Sequence, residues 1–486
     1  MEDNTNRRLS IGVSGLDEIL EGGLLPCQAY LVRGDSGTGK TTLGLHFLQE
    51  GVRQGESVLL ISLMRGEEEI RRHAASLGIS LDGVTVLDLS PTPELFTELQ
   101  SYRVFQPSDV ERGPLTQQIM ERLERQHPRR ILVDALTQLR YVATDEYDFR
   151  RLSLSLLRYL TGREATLLVT SEIIEAASDA SLKFLCAGVI ELCMSRIGRT
   201  VQVTKYVGSG FRFGIHSMRL DATGMVVFPQ LEADQPTIPF TGELISSGIP
   251  ALDDLLHGGI ERGLSTIITG PSGVGKTTIG MHFVKEAATR GERSAVFIYE
   301  EAYQPLRQRM TELGIPMQRM LDDDTLAIIP VQPLRYLPDE FTALVRAEVE
   351  ERNTRVVMLD SLAGYRLTLH GADLTSHLYT LIKYLAGRGV TVILLNDVEM
   401  ITGDFRATEV GISYIADNII FLRYIEVHGA LQKAIGVLKK RMSGFEKTMR
   451  EIDITPQGIT LGPPLVDLRG ILLGVPEWSE PDKAGE

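Results

Sequence analysis

Short unbroken apolar runs alternate along the chain with longer amphipathic segments. Ser294-Ala295-Val296-Phe297-Ile298, Arg355-Val356-Val357-Met358-Leu359 and Val390-Thr391-Val392-Ile393-Leu394-Leu395 are three of them. A strand with one wet face alternates apolar and polar residues, whereas a strand covered on both faces reads as a continuous apolar run. These runs therefore predict buried strands in a mainly parallel sheet with helices on both sides. The fold class is α/β.

The pattern is written twice. Gly15-Leu16-Asp17 matches Ala251-Leu252-Asp253, Gly22-Gly23 matches Gly258-Gly259, and His46-Phe47 matches His282-Phe283, all 236 residues apart and without a gap. The register holds through Leu77-Gly78-Ile79 against Leu313-Gly314-Ile315, then drifts. It recovers where Ile131-Leu132-Val133-Asp134 meets Val357-Met358-Leu359-Asp360 and where Ser209-Gly210-Phe211 meets Ser443-Gly444-Phe445. Two copies of one domain are expected, over residues 1–235 and 236–465, followed by a loosely held tail over 466–486. The stretch Leu231 to Pro239 has two prolines and no periodicity, and reads as the linker. A chain of 486 residues is long enough for two cores of this size.

Composition narrows the setting. With 43% hydrophobic and 23% charged residues the chain is ordinary globular material. It has no apolar run of membrane-spanning length, and its N-terminus lacks the apolar core of a signal peptide, so a cytoplasmic protein without a membrane role is expected. A net charge of −14 argues against a nucleic-acid binder, whose phosphates call for a basic face. The three cysteines, Cys27, Cys186 and Cys193, have neither disulfide nor metal spacing and read as packing residues.

Candidate chemistry lies between the runs. Gly270-Pro271-Ser272-Gly273-Val274-Gly275-Lys276-Thr277-Thr278 fits G-x-x-x-x-G-K-[ST], and Gly34-Asp35-Ser36-Gly37-Thr38-Gly39-Lys40-Thr41-Thr42 repeats it. Each follows an apolar run and opens an amphipathic segment. The glycines let backbone N–H groups converge on phosphate oxygens at a helix N-terminus, so Gly34, Ser36, Gly37, Thr38 and Gly39, like Gly270, Ser272, Gly273, Val274 and Gly275, are expected to cradle ATP. Lys40 and Lys276 would reach the β- and γ-phosphates, with Thr42 and Thr278 beside them. The hydroxyls of Thr41 and Thr277 would face Mg²⁺, together with the strand-ending Asp134 and Asp360.

The halves differ where catalysis would sit. After its second strand the C-terminal half carries Glu300-Glu301, and at the same offset the N-terminal half carries Met64-Arg65. Phosphoryl transfer needs a carboxylate to orient the attacking hydroxyl, a task Met64 and Arg65 cannot perform. Recruiting Glu67 or Glu68 instead would require a three-residue slip. Near the end of each half, Lys439 and Arg441 align with Lys205 and Val207. An arginine serving a neighbouring nucleotide neutralises transition-state charge. The first half is expected to hold nucleotide and the second to turn it over.

Tandem phosphate loops, an acidic pair after the second strand and a terminal Lys-x-Arg together resemble the KaiC family of double RecA-like ATPases associated with circadian clocks. The likeness runs from about residue 8 to 465. The resemblance implies two RecA-like P-loop domains and a homohexamer of stacked rings with nucleotide at the subunit interfaces. It also implies a serine/threonine autokinase in the C-terminal ring and a protein partner in signalling or timing. Glu300 would then be the general base, Glu301 its partner, and Lys439 and Arg441 sensors reaching across the interface. The family's phosphorylated pair falls on Ser413-Tyr414; Ser413 fits, Tyr414 departs from the pattern, and Thr408 is a second acceptor candidate. Lacking the acidic pair, the first half is expected to keep its nucleotide as a ligand that holds subunits together. Two other readings stay open: a nucleotide-gated scaffold, and a DNA recombinase or helicase of the wider RecA-like class, which the acidic charge argues against.

Overall fold

A computed structural model describes residues 8–90, 107–141, 143–173, 180–232, 238–398, 412–455, 458–471 and 477–478. The chain divides after Gln230 into two units, each with its own sheet.

In the first unit nine strands, β1 (Ala29–Gly34), β2 (Val58–Ser62), β3 (Thr85–Asp88), β4 (Arg130–Asp134), β5 (Thr166–Glu172), β6 (Gly188–Ser195), β7 (Gly198–Tyr206), β8 (His216–Asp221) and β9 (Gly224–Phe228), lie in the order β3-β2-β4-β5-β1-β6-β7-β8-β9. From β3 to β6 every pairing is parallel, and β6 to β9 form an antiparallel run. Along β4 the side chains alternate between two buried layers. Leu132 enters the cluster with Val32, Leu60 and Phe47, while Ile131 and Val133 enter the one with Leu31, Ile61 and Phe149. Both faces are thus covered, which is why the run carries no polar alternation.

The second unit begins with a small ladder, β10 (Leu244–Ile245) against β11 (Ile260–Glu261). It then repeats the sheet with β12 (Ser265–Gly270), β13 (Ser294–Ile298), β14 (Leu326–Pro330), β15 (Val356–Asp360), β16 (Thr391–Asp397), β17 (Asn418–Val427), β18 (Ala430–Lys440), β19 (Arg450–Thr455) and β20 (Gly458–Pro464). The order, β14-β13-β15-β16-β12-β17-β18-β19-β20, is that of the first sheet element for element. Even an irregularity is copied: the register shifts between Val189 and Ile190 on β6 and between Ile419 and Ile420 on β17. Within the tail, β21 (Leu468–Arg469) pairs with β22 (Glu477–Trp478), and Ile471 is buried beside Ile425 and Ala434. Among the described residues no helix is long and apolar enough to cross a membrane.

This topology positions the sites. The central strands β1 and β12 end at the phosphate loops, and flanking strands bring β2, β4 and β5, or β13, β15 and β16, to the same edge. In open parallel sheets that edge is where ligands bind.

Candidate functional site

Each loop turns from its strand into a helix, Lys40–Arg53 or Lys276–Thr289, whose N-cap is a left-handed glycine, Gly39 at φ 108° or Gly275 at φ 119°. A side chain there would be strained, and it would also collide: a Cβ on Gly39 falls 2.9 Å from Leu220 Cδ1, and one on Gly275 falls 2.1 Å from Ile454 Cδ1. The hairpins β8–β9 and β19–β20 thus press a hydrophobic residue directly onto each loop. The lysines curl back over the loops. Lys40 Nζ donates to the carbonyls of Gly34 and Asp35, both at 2.8 Å, and Lys276 Nζ donates to those of Gly270 at 2.9 Å and Pro271 at 2.8 Å. Thr38 and Val274 are buried under the loops.

In the second unit the loop opens into a cavity of about 410 Å³ lined by Ser272, Gly273, Gly275 and Lys276 to Thr278, with Glu300, Glu301, Glu312, Asp360 and Asp397 on the acidic side and Arg309 and Lys433 on the basic. Thr277 Oγ1 donates to Asp360 Oδ2 at 2.8 Å. Burial pushes the Asp360 carboxyl up to about 6, helped by the nearby charges of Glu301 and Asp397, while the Thr277 hydroxyl pulls the other way. Lys276 pairs with Asp397 at 2.6 Å, Ser361 Oγ donates to Glu300 Oε1 at 2.9 Å, and Arg309 holds Glu301 at 2.8 Å. Three cations face five carboxylates. A divalent cation suits this donor set: Thr277 and Asp360 would hold Mg²⁺, whose charge offsets both the crowded carboxylates and the phosphates.

In the first unit the cavity is of similar size, about 460 Å³, and different in character. Its walls are Ser36, Gly37, Gly39, Lys40, Thr41 and Thr42 with Met64, Arg65, His73, Asp134, Glu172, Arg199 and Leu220. Thr41 Oγ1 donates to Asp134 Oδ2 at 2.9 Å, as its counterpart does. A guanidinium also reaches this pair, Arg65 Nη2 donating to Thr41 Oγ1 at 3.1 Å. Neither Glu67 nor Glu68 lines the cavity; Glu67 bonds Arg71 at 2.7 Å across one helical turn.

Lys439, Arg441 and Ser413 gather elsewhere. Asn418 opens β17 opposite Thr266, near the start of β12, so the preceding turn lies roughly a strand length (~15 Å) from its own phosphate loop. Lys439 Nζ donates to the carbonyls of Ser413 at 3.1 Å and Ala416 at 2.6 Å; Arg441 pairs with Asp417 at 3.1 Å and donates to Tyr414 O at 3.3 Å. Lys205 does the same for the turn before β6, donating to Cys186 O at 2.7 Å. The lysine is therefore a turn-holding residue in both halves, while Arg441 has only the exposed Val207 as its counterpart. Ser413 and Tyr414 are exposed, and Thr408 lies outside the described residues.

Sequence reasoning missed Asp397, Glu172, Arg309, Lys433 and Arg199. The two acids could have been found, because each ends an apolar run in corresponding strands β16 and β5. Arg199 and Lys433 come from the antiparallel hairpins, which only the folded sheet folds back over the loop.

Two mainly parallel sheets of identical order, each closing on a phosphate loop, define tandem RecA-like P-loop NTPase domains. The family model described as "ATPase: KaiC" matches residues 9–232 and 245–466, and the chain belongs to that family of ATPases. It is 26% identical to the "Circadian clock oscillator protein KaiC" of Parasynechococcus marenigrum, over 99% of this chain and 95% of that one. It is 27% identical to the protein of the same name from Prochlorococcus marinus, over 97% and 95%. The "Circadian clock protein KaiC3" of Synechocystis sp. is 25% identical, also over 97% and 95%.

Proposed function

We propose that this chain is a cytoplasmic, ring-forming ATPase and serine autokinase of signalling or timing. The second unit turns over Mg²⁺-ATP, and the first holds nucleotide without hydrolysing it. The observation that carries this reading is the exchange of Glu300-Glu301 for Met64-Arg65 at corresponding positions in the two cavities. Glu300 stands at the cavity wall with one oxygen accepting from Ser361, free to take a proton from an attacking water or hydroxyl at its other oxygen. Lys276 and the loop amides hold the phosphates, and Thr277 and Asp360 hold the metal.

Ser413 and Arg441 belong to a different copy of the chain in this reading. They lie at the far end of their own sheet, so they meet a phosphate loop only when a neighbour supplies it, which a closed homohexameric ring does at every interface. Arg441 then neutralises charge on the neighbour's γ-phosphate, and Lys439 holds the turn that presents Ser413. That the relatives are named as circadian clock proteins supports a role in timing; a protein partner would then read the ring's phosphorylation state.

Intact-mass and phosphopeptide analysis after incubation with Mg²⁺-ATP tests this. Phosphate on Ser413 that disappears in Glu300→Gln is the expected result. ATP consumption with no phosphate on the protein overturns the autokinase and leaves a nucleotide-gated scaffold.

A further inference from the structure

The geometry points to a metal-independent nucleotide site in the first unit, in which the Arg65 guanidinium stands where the second unit takes a divalent cation. This inference rests on the reading that the first loop binds nucleotide.

Three observations carry it. The first is position. Thr41 and Asp134 are the counterparts of Thr277 and Asp360, and Arg65 Nη2 lies 3.1 Å from the Thr41 hydroxyl that a cation would need as a ligand. Asp134 is further engaged by the Thr170 hydroxyl on its other oxygen. With a positive group already on Thr41, these residues do not fit Mg²⁺ as the second set does.

The second is rigidity. The Arg65 backbone is pinned from both sides by fully buried Ser62, whose hydroxyl donates to Arg65 O at 2.6 Å and accepts from Arg65 N at 3.3 Å. The guanidinium is therefore delivered by a fixed turn at the end of β2. Its planar fork has further N–H groups for phosphate oxygens once one is placed on Thr41.

The third is charge balance. Lys40, Arg65 and Arg199 line the first cavity against Asp134 and Glu172, whereas Lys276, Arg309 and Lys433 line the second against five carboxylates. Even when Asp35, exposed on the loop, is counted, the first site carries no excess negative charge. A polyphosphate entering the second site needs added positive charge, and one entering the first finds it built in. Arg199 contributes by reaching across the loop, its Nε donating to Gly37 O at 3.3 Å.

The test uses the full chain carrying Lys276→Ala, so that the first site alone reports, with radiolabelled ATP binding measured in Mg²⁺ and in excess EDTA. Affinities in the two conditions should agree within about threefold, and Arg65→Ala should weaken binding in EDTA by about 10- to 100-fold, with Arg65→Lys recovering part of it. The unsubstituted chain gives a second measurement independent of Lys276→Ala: after gel filtration in EDTA it should retain nucleotide in one of its two sites. Binding that requires Mg²⁺ at the first site overturns the proposal while leaving the site a nucleotide site. No binding under either condition overturns both.

Discussion

The two phosphate loops share backbone, strand order and even the hydrophobic residue that presses on the final glycine, yet their chemistry diverges through side chains on neighbouring elements. In the second unit the end of β13 contributes two carboxylates, and the partly buried Asp360 is left with a raised affinity for a proton. In the first, the end of β2 contributes a thioether and a guanidinium. The same scaffold thus builds one cavity whose carboxylates outnumber its cations and one whose cations match its acids. The loops are alike; the residues after the adjacent strand carry much of the difference between the two cavities.

The comparison breaks most readily at the far end of the sheets. If Arg441 serves a neighbour's site as proposed, Arg441→Ala should lower steady-state phosphate release by about 10²- to 10³-fold while ATP binding is retained, through loss of transition-state charge neutralisation. Val207→Ala, its counterpart, should change release by less than about twofold. Equal effects would remove the asymmetry between the halves.

A smaller effect concerns stability. Asp360 has a carboxyl raised from its ordinary 3.8 to about 6, so the folded protein binds that proton more tightly than the unfolded chain does. Its ionisation in the folded state is then a penalty, absent below about pH 4, growing as pH rises and complete above about pH 6. Asp360→Asn should therefore stabilise the nucleotide-free protein by ~3 kcal/mol at pH 8 and leave it unchanged below pH 4, read by calorimetry across that range. A stabilisation independent of pH would assign the effect to packing instead.

The subtlest readout, binding affinity, comes from exchanging the pairs. Glu300→Met with Glu301→Arg should improve ATP binding to the second site in EDTA by about tenfold while abolishing turnover. If affinity in EDTA is unchanged, the pair alone does not set the charge requirement.

Much of this was legible in the chain. The repeat, the α/β class and both loops follow from apolar runs and glycine spacing, which local physics fixes. The contrast between Glu300-Glu301 and Met64-Arg65 was visible too, because a gapless stretch on either side holds the register. What the sequence withheld was whatever depends on the sheet closing. Lys433 and Arg199 approach the loops through antiparallel hairpins whose curl no periodicity encodes. Arg65 read only as the wrong charge for catalysis, and its place on Thr41 emerges from the Ser62 turn. Lys439 read as a sensor, whereas its ammonium holds turn carbonyls as Lys205 does.

The central claim, that turnover belongs to the second site alone, is tested most directly by phosphate release from the full chain carrying Glu300→Gln, a variant that leaves the first site untouched. The account predicts a fall of at least about 100-fold with ATP still bound. Retention of half the original rate or more would place hydrolysis in the first site and contradict it.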